Sequence, residues 1–229
     1  MKKSLLAAAT ALGLVFAGGA MAEGALSYNI AVTNDYVWRG VSQSGRNEAV
    51  QGGIDYTNGI FYAGAWASNV DFGDNETDLE VDVYAGVKPT YKDFSFDFGG
   101  IYYGYPNQPT DTNLSFGELK AAVSHPIGAG AIGAAAYYSM DFGGAGESLY
   151  SELNASYPIT EKLSFSGAMG KQYIEDGIDY TTWNLGLGYT LTEALSVDVR
   201  YWDTGKHEYQ GQPLTNYKDR IAVTLKAAF

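Results

Sequence analysis

The 229-residue chain contains no cysteine, so no disulfide can hold an exported product together, and no lipid-modified cysteine can anchor it. Its only histidines are His125 and His207. His125 falls in a short turn and His207 in a long loop, at opposite ends of the barrel that the strand pattern predicts, which speaks against a shared two-histidine metal site. Basic side chains are scarce, 14 against 26 acidic ones. That balance argues against nucleic acid as a partner and against a helix adsorbed on anionic lipid, which needs a basic face. Long apolar runs are missing beyond the first two dozen residues, so no helix of the roughly 20 apolar residues a bilayer requires is expected. A membrane can still be crossed by strands. A closed barrel satisfies every backbone N–H and C=O between neighbours while showing lipid only alternate side chains.

What is present fits that exception. Tyrosine (19) and glycine (29) are abundant while proline numbers only 6, too much tyrosine for a disordered tail and suited to sheets whose backbones approach closely. At the start, Lys2 and Lys3 precede an apolar stretch over residues 5–16, and Ala20-Met21-Ala22 offers a small-x-small cleavage site before Glu23. The pattern predicts a secretory signal over residues 1–22 and a mature domain over 23–229. Removing the signal takes two lysines and no acid, moving the formal charge from −12 to −14.

At the other end, Ile221, Val223, Leu225, Ala227 and Phe229 alternate with Arg220, Thr224 and Lys226. That is a strand with one greasy face, and an alternating strand ending on a terminal aromatic resembles the C-terminal strand that the outer-membrane barrel assembly machinery reads. Leu79, Val81, Val83, Ala85 and Val87 alternate with Glu80, Asp82, Tyr84, Gly86 and Lys88 in the clearest internal case, which no helical period fits. Residues 94–98, 149–157, 163–169, 185–189 and 195–201 repeat the pattern, and 26–32, 50–56, 60–66, 119–123 and 132–140 show it more weakly. The total predicts an all-β, antiparallel up-and-down transmembrane barrel of about twelve strands, an even number that puts both ends on one side.

The connections support this. Segments 57–59, 88–93, 125–130, 158–162 and 190–194 are short and turn-like. Segments 39–48, 70–78, 105–113, 141–148, 173–179 and 202–219 are on the whole longer and more polar. Short turns beside the termini and long loops opposite are the outer-membrane arrangement, with the long loops outside the cell. Tyr28, Tyr36, Trp38, Tyr56, Tyr102, Tyr138, Tyr157, Trp183, Tyr189, Tyr201 and Phe229 share the apolar parity, as interfacial girdles would.

The opposite parity predicts the pore lining. It carries the acids Asp35, Asp55, Glu80, Asp82, Asp97, Glu118, Glu152 and Asp198, and the bases Arg39, Lys88, Lys120, Arg200, Arg220 and Lys226. Charges inside a barrel must be paired or wetted. Small residues assigned to the same side, among them Ala63, Ala65, Ala67, Gly86, Gly133 and Ala168, leave room, and width grows with strand number. A narrow aqueous pore with weak cation preference is expected.

Other chemistry is thinly represented. Asp71, Asp74, Glu76 and Asp78 crowd one loop, but their spacing is not that of an EF-hand and reads as a solvated acidic loop. His207 has no serine close to it in sequence to form a hydrolytic pair. Gly143-Gly144-Ala145-Gly146 opens no helix after a buried strand, so it is not a nucleotide loop.

Asn34-Asp-Tyr-Val-Trp-Arg-Gly-Val-Ser-Gln-Ser44, followed by Ala49-Val-Gln-Gly-Gly-Ile-Asp-Tyr56 and Phe61-Tyr-Ala-Gly-Ala-Trp-Ala-Ser-Asn-Val70, resembles the opening of the TorF family of porins, a group described as conserved hypothetical outer-membrane proteins of proteobacteria. The resemblance implies an outer-membrane location and a channel role, and carries no catalytic residues. Within the motif, Tyr36 and Trp38 are expected at the membrane interface, with Arg39 at the lumen or rim, where pairing with Asp35, Glu80 or Asp82 is favoured over binding of an anionic solute. The expected activity is passive diffusion of small hydrophilic solutes, needing no cofactor and no catalytic residue, with outer-membrane lipid and the assembly machinery as partners and the oligomeric state open. A non-conducting structural or surface-binding barrel is the principal alternative. A soluble periplasmic β-protein would expose too large an apolar belt, and a lipid-modifying enzyme at His207 ranks last.

Overall fold

In the computed structural model the described residues are 24–229, and the period-two segments all form strands. They are β1 (Ala25–Thr33), β2 (Ala49–Asn58), β3 (Phe61–Asn69), β4 (Leu79–Val87), β5 (Phe94–Gly104), β6 (Phe116–Ile127), β7 (Gly130–Ser139), β8 (Ser148–Pro158), β9 (Leu163–Ile174), β10 (Tyr180–Thr190), β11 (Leu195–Thr204) and β12 (Arg220–Ala228). The predicted signal peptide lies outside the described residues. Each strand pairs antiparallel with its sequence neighbours, and β12 returns to pair with β1, closing a twelve-stranded barrel. Closure leaves no sheet edge, the condition for placing strands in lipid. Strand lengths of 9 to 12 residues match the roughly 9–11 a tilted strand needs to cross the hydrocarbon.

The seam is fixed at both ends. Phe229 N–H donates to the Tyr28 carbonyl at 2.9 Å and Tyr28 N–H to that of Phe229 at 3.0 Å. At the other end, the Asn34 side chain donates to the Ile221 carbonyl and accepts from Val223 N–H. Two of the tight connections repeat one device. Ile159 N–H bonds the Leu163 carbonyl while the Thr160 hydroxyl accepts from Leu163 N–H, and Leu191, Leu195 and Thr192 repeat that arrangement. This follows from the matching Ile/Leu-Thr-Glu sequences, in which a threonine oxygen occupies the backbone donors of a tight turn.

The outward face is apolar, with Leu26, Ile30, Val83, Leu153, Leu187 and Leu225 all exposed. From the register, its charged positions within the strands are Lys171 and Asp203, both near the long-loop ends. One face assignment needs correction. Pairing of Ser68 with Glu80, Trp66 with Asp82 and Tyr62 with Gly86 turns Tyr62, Gly64, Trp66 and Ser68 inward, so Ala63, Ala65 and Ala67 face out. An Ala/Gly-rich strand has little hydrophobic contrast between its faces, and a one-residue slip inverts all of its side chains.

The apolar core lies inside the barrel, toward the long loops. Tyr36, Ala49, Val70, Ile101, Tyr103, Tyr105 and Phe116 are buried together, with Trp38, Trp66, Phe72 and Phe142 packed against them. Tyr36 and Trp38 therefore do not belong to the outer girdle. The chain leaves β1 at Asn34 and turns into the lumen, breaking the parity that would have carried both rings outward.

Candidate functional site at a lumenal constriction

The inward segment is a miniature hairpin, Val37–Trp38 paired with Val41–Ser42, and its turn is Arg39-Gly40. Both turn residues have positive φ, +49° and +85°, as a two-residue turn matched to strand twist requires. Glycine is demanded at the second position on contact grounds as well, because a Cβ there would stand 2.1 Å from Thr182 Oγ1 and 2.9 Å from Thr204 Cγ2. The tip is thus wedged against the β10–β11 wall. Its base is held by Asp35, whose carboxylate accepts from the Ser42 hydroxyl at 2.6 Å and the Ser44 hydroxyl at 3.3 Å and pairs with Arg220 at 3.4 Å.

From the tip, Arg39 spans the lumen. Its two terminal nitrogens donate to the two carboxylate oxygens of Glu118 at 2.7 Å each, and one also to Gln172 at 3.2 Å. Trp38, Tyr137 and Tyr150 present ring faces to the guanidinium at 4.1, 4.6 and 4.4 Å, and the Tyr103 hydroxyl completes Glu118 at 3.1 Å. This is the planar, bidentate, stacked environment that arginine satisfies and lysine does not. The sequence pointed to Asp35, Glu80 or Asp82 as the partner, but the hairpin aims Arg39 past them at Glu118. The sequence does not single out Tyr103, Tyr137, Tyr150 or Gln172; the inward parity of their own strands, which Tyr103 shares with Asp97 and Tyr150 with Glu152, is the available signal.

The other lining candidates are placed as follows. Lys120 pairs with Asp97 at 2.7 Å and Arg200 with Asp198 at 3.0 Å. Asp97 also accepts from the Tyr62 hydroxyl, Asp55 from Tyr84, and Glu152 from Tyr150 and Asn154. Glu80 accepts from Tyr36 and Tyr105, each at 2.9 Å. Asp82 has no hydrogen-bond partner on its buried Oδ1. Lys88 lies 4.6 Å over the Tyr62 ring, and Lys226 is within electrostatic reach of Asp55. Among the described residues, the four ion pairs leave Asp55, Glu80, Asp82 and Glu152 against Lys88 and Lys226, a lumen with an acidic surplus.

The two halves of the lumen differ. Toward the long loops Gln172, Tyr103 and Glu80 are at most 2 % exposed, and a cavity of about 30 Å³ remains beside the hairpin, lined by Thr33, Asp35, Gln51, Asp198 and Arg200. That is room for water rather than for a larger solute. Toward the short turns Asp55, Tyr62, Lys88, Glu152 and Lys226 are only half-buried, forming a wetter vestibule.

The acidic outer loop uses its carboxylates to shape itself. Asp74 accepts from the Thr77 hydroxyl at 2.6 Å and from the backbone N–H groups of Glu76 and Thr77, contacts that hold its carboxyl below the ordinary value. Asp71 accepts from Gly73 N–H and Asp78 from Asn107. In another outer loop His207 pairs with Asp203 at 2.8 Å.

Comparison with solved structures finds a similar fold in outer-membrane porins and channels. The KdgM porin, solved in complex with disordered oligogalacturonate, superposes with a TM-score of 0.60 at 9% identity over 89% of this chain and 98% of that one. The NanC porin gives 0.58 at 13% identity, covering 90% and 99%. An outer-membrane channel from Pseudomonas putida F1 gives 0.53 at 10% identity, covering 94% and 99%. At such identities the likeness is one of fold, and with the closed apolar belt it assigns the chain to the bacterial outer membrane. The curated proteins contain no match. A family model described as a bacterial protein of unknown function matches residues 17–229. That match does not carry the TorF name expected from the opening motifs, and by it the chain belongs to the bacterial Gcw_chp family.

Proposed function

We propose that the protein is a low-conductance diffusion channel of the outer membrane, passing small hydrophilic solutes through a constriction built by the Arg39 hairpin. The observation that carries this reading is the polar, acid-rich interior of a closed twelve-stranded barrel whose wider vestibule narrows at one inward segment. Permeation through such a passage depends on radius and wall charge and needs no cofactor or catalytic group. The acidic surplus left by Asp55, Glu80, Asp82 and Glu152 over Lys88 and Lys226 supports mild cation preference. KdgM was solved with an acidic oligosaccharide; the acidic surplus here argues against the same solute class.

Residues 1–22 act as the secretory signal in this reading, and Phe229, which closes the seam against Tyr28, serves the assembly machinery. Deleting Phe229 is expected to lower the yield of folded barrel in the outer membrane without changing export across the inner one.

The dry packing around Glu80, Tyr103 and Gln172 favours a second reading, a non-conducting barrel with the hairpin as a permanent filling. Single-channel recording of the refolded mature protein under a salt gradient separates the two. Small discrete steps with a reversal potential of cationic sign support the channel, and insertion without current defeats it.

A further inference from the structure

Asp82 stands out among the lumenal carboxylates because nothing donates to it. The residue is 2 % exposed, and its Oδ1 is buried without a partner, whereas each of the other lumenal acids accepts at least one hydrogen bond. An ionised carboxylate in that position carries a large uncompensated desolvation cost. Its surroundings do not lower that cost. Glu80, two residues away, shares its face of β4, and the lumenal cation Arg39 is committed to Glu118 and Gln172.

Aromatic residues flank Asp82 on both sides. Trp66 and Tyr103 are the cross-strand neighbours of Asp82 on either side. Tyr36 packs edge-on against Trp66 at 5.3 Å between ring centroids, and Tyr36 and Tyr105 both donate to Glu80, two residues from Asp82 on the same face of β4. A lone carboxylate between Trp66 and Tyr103 is a combination suited to a compact, singly charged cation, which takes charge from the carboxylate and favourable contact from aromatic side chains. A chelated divalent ion is disfavoured, because the Glu118 oxygens are occupied by Arg39 and those of Glu80 by two tyrosine hydroxyls, and the described residues contain no converging set of metal ligands.

We infer that Asp82 is the anchor of a binding site for one monopositive cation, an alkali-metal ion or the ammonium head of a small amine, at the constriction. The inference rests on the channel reading for its biological use, but the site itself is defined by the geometry of β4 and its neighbours. It places the selectivity of the passage at one residue rather than in the averaged charge of the wall.

The test uses the refolded mature barrel in neutral detergent. Its thermal unfolding midpoint is titrated with methylammonium chloride or potassium chloride against N-methylglucammonium chloride at equal ionic strength. The expected result is a saturable rise with a small cation that the bulky one does not produce. In Asp82→Asn the half-saturating concentration is expected to increase by about tenfold or more, the factor carried by one good charge-assisted contact. Asp74→Asn, in the acidic outer loop, should leave the titration unchanged. A response to potassium and methylammonium alike assigns the site to simple ions, and a response to methylammonium alone assigns it to amines. The inference is overturned if the wild type and Asp82→Asn titrate identically, or if neither cation shifts the wild type. Asp82→Asn removes an unpaired charge and is expected to fold; if it does not, Asp82→Ser replaces it in the same titration. Recording current from the same preparations keeps the two claims apart: a protein that binds the cation yet never conducts retains the site and loses the channel.

Discussion

Arg39 and Glu118, 79 positions apart in sequence, meet through two parallel hydrogen bonds of 2.7 Å inside the barrel. Their side chains are 6 % and 0 % exposed, so removing one partner strands the other away from water. Arg39→Ala is expected to destabilise the barrel by about 3–5 kcal/mol, the range for breaking a buried pair, read from urea unfolding midpoints in detergent. Glu118→Ala combined with Arg39→Ala should recover part of that loss, a coupling a double-mutant cycle measures. Arg39→Ala should also enlarge the conductance step. Lower stability with unchanged current would show that the hairpin is not the constriction.

Gly40 and Gly59 separate backbone strain from collision. Both have positive φ, but a Cβ on Gly59 meets nothing within 4 Å while one on Gly40 strikes Thr182 and Thr204. Gly59→Ala should cost only about 1 kcal/mol, the conformational term. Gly40→Ala adds displacement of the hairpin tip, an overpacking cost of about 1–3 kcal/mol more. Equal midpoints for the two variants would place the tip away from the β10–β11 wall.

The facing of β3 is open to a direct check. Ala65→Arg puts a guanidinium toward lipid near mid-strand and should cost about 2–4 kcal/mol in a bilayer. A variant that folds as the wild type does would restore the inward assignment of Ala65.

The Val70–Asp78 loop should loosen in acid. The Asp74 carboxyl lies below its ordinary value of 3.8 because Thr77 and two backbone N–H groups bind its charged form. A depressed folded pKa means the contribution is complete above 3.8 and disappears as pH falls through the lower folded value. Hydrogen exchange at Glu76 and Thr77 should therefore accelerate below the ordinary aspartate range in the wild type. In Asp74→Asn it should be fast already at neutral pH.

Strand number, order and the side on which each loop lies were legible in the sequence because lipid and lumen impose opposite chemistry on alternate residues. Leu79-Glu80-Val81-Asp82-Val83 leaves no ambiguity. The faces of β3 were not legible, since Ala63 and Ala65 are scarcely more apolar than Gly64 and no charge marks the inner side. The hairpin escaped notice for a different reason. Tyr36 and Trp38 continue the parity of β1, and only the departure of the backbone at Asn34, together with the two left-handed residues that follow, reverses where the rings go. The Arg39 to Glu118 pairing, between segments far apart in the chain, left no local signature.

The closing ladder carries a kinetic consequence. Every other ladder joins strands consecutive in the chain and can zip locally, but Asn29 meets Ala228 only after all the intervening strands are in place, a single long closure that dominates the loop entropy. The Arg39 hairpin emerges from β1, one side of that seam, yet docks on β6, β9, β10 and β11. It must already occupy the curling interior when β12 arrives, so the seam locks it in, and a hairpin that docks poorly would delay the final step of assembly rather than fall out of a finished barrel.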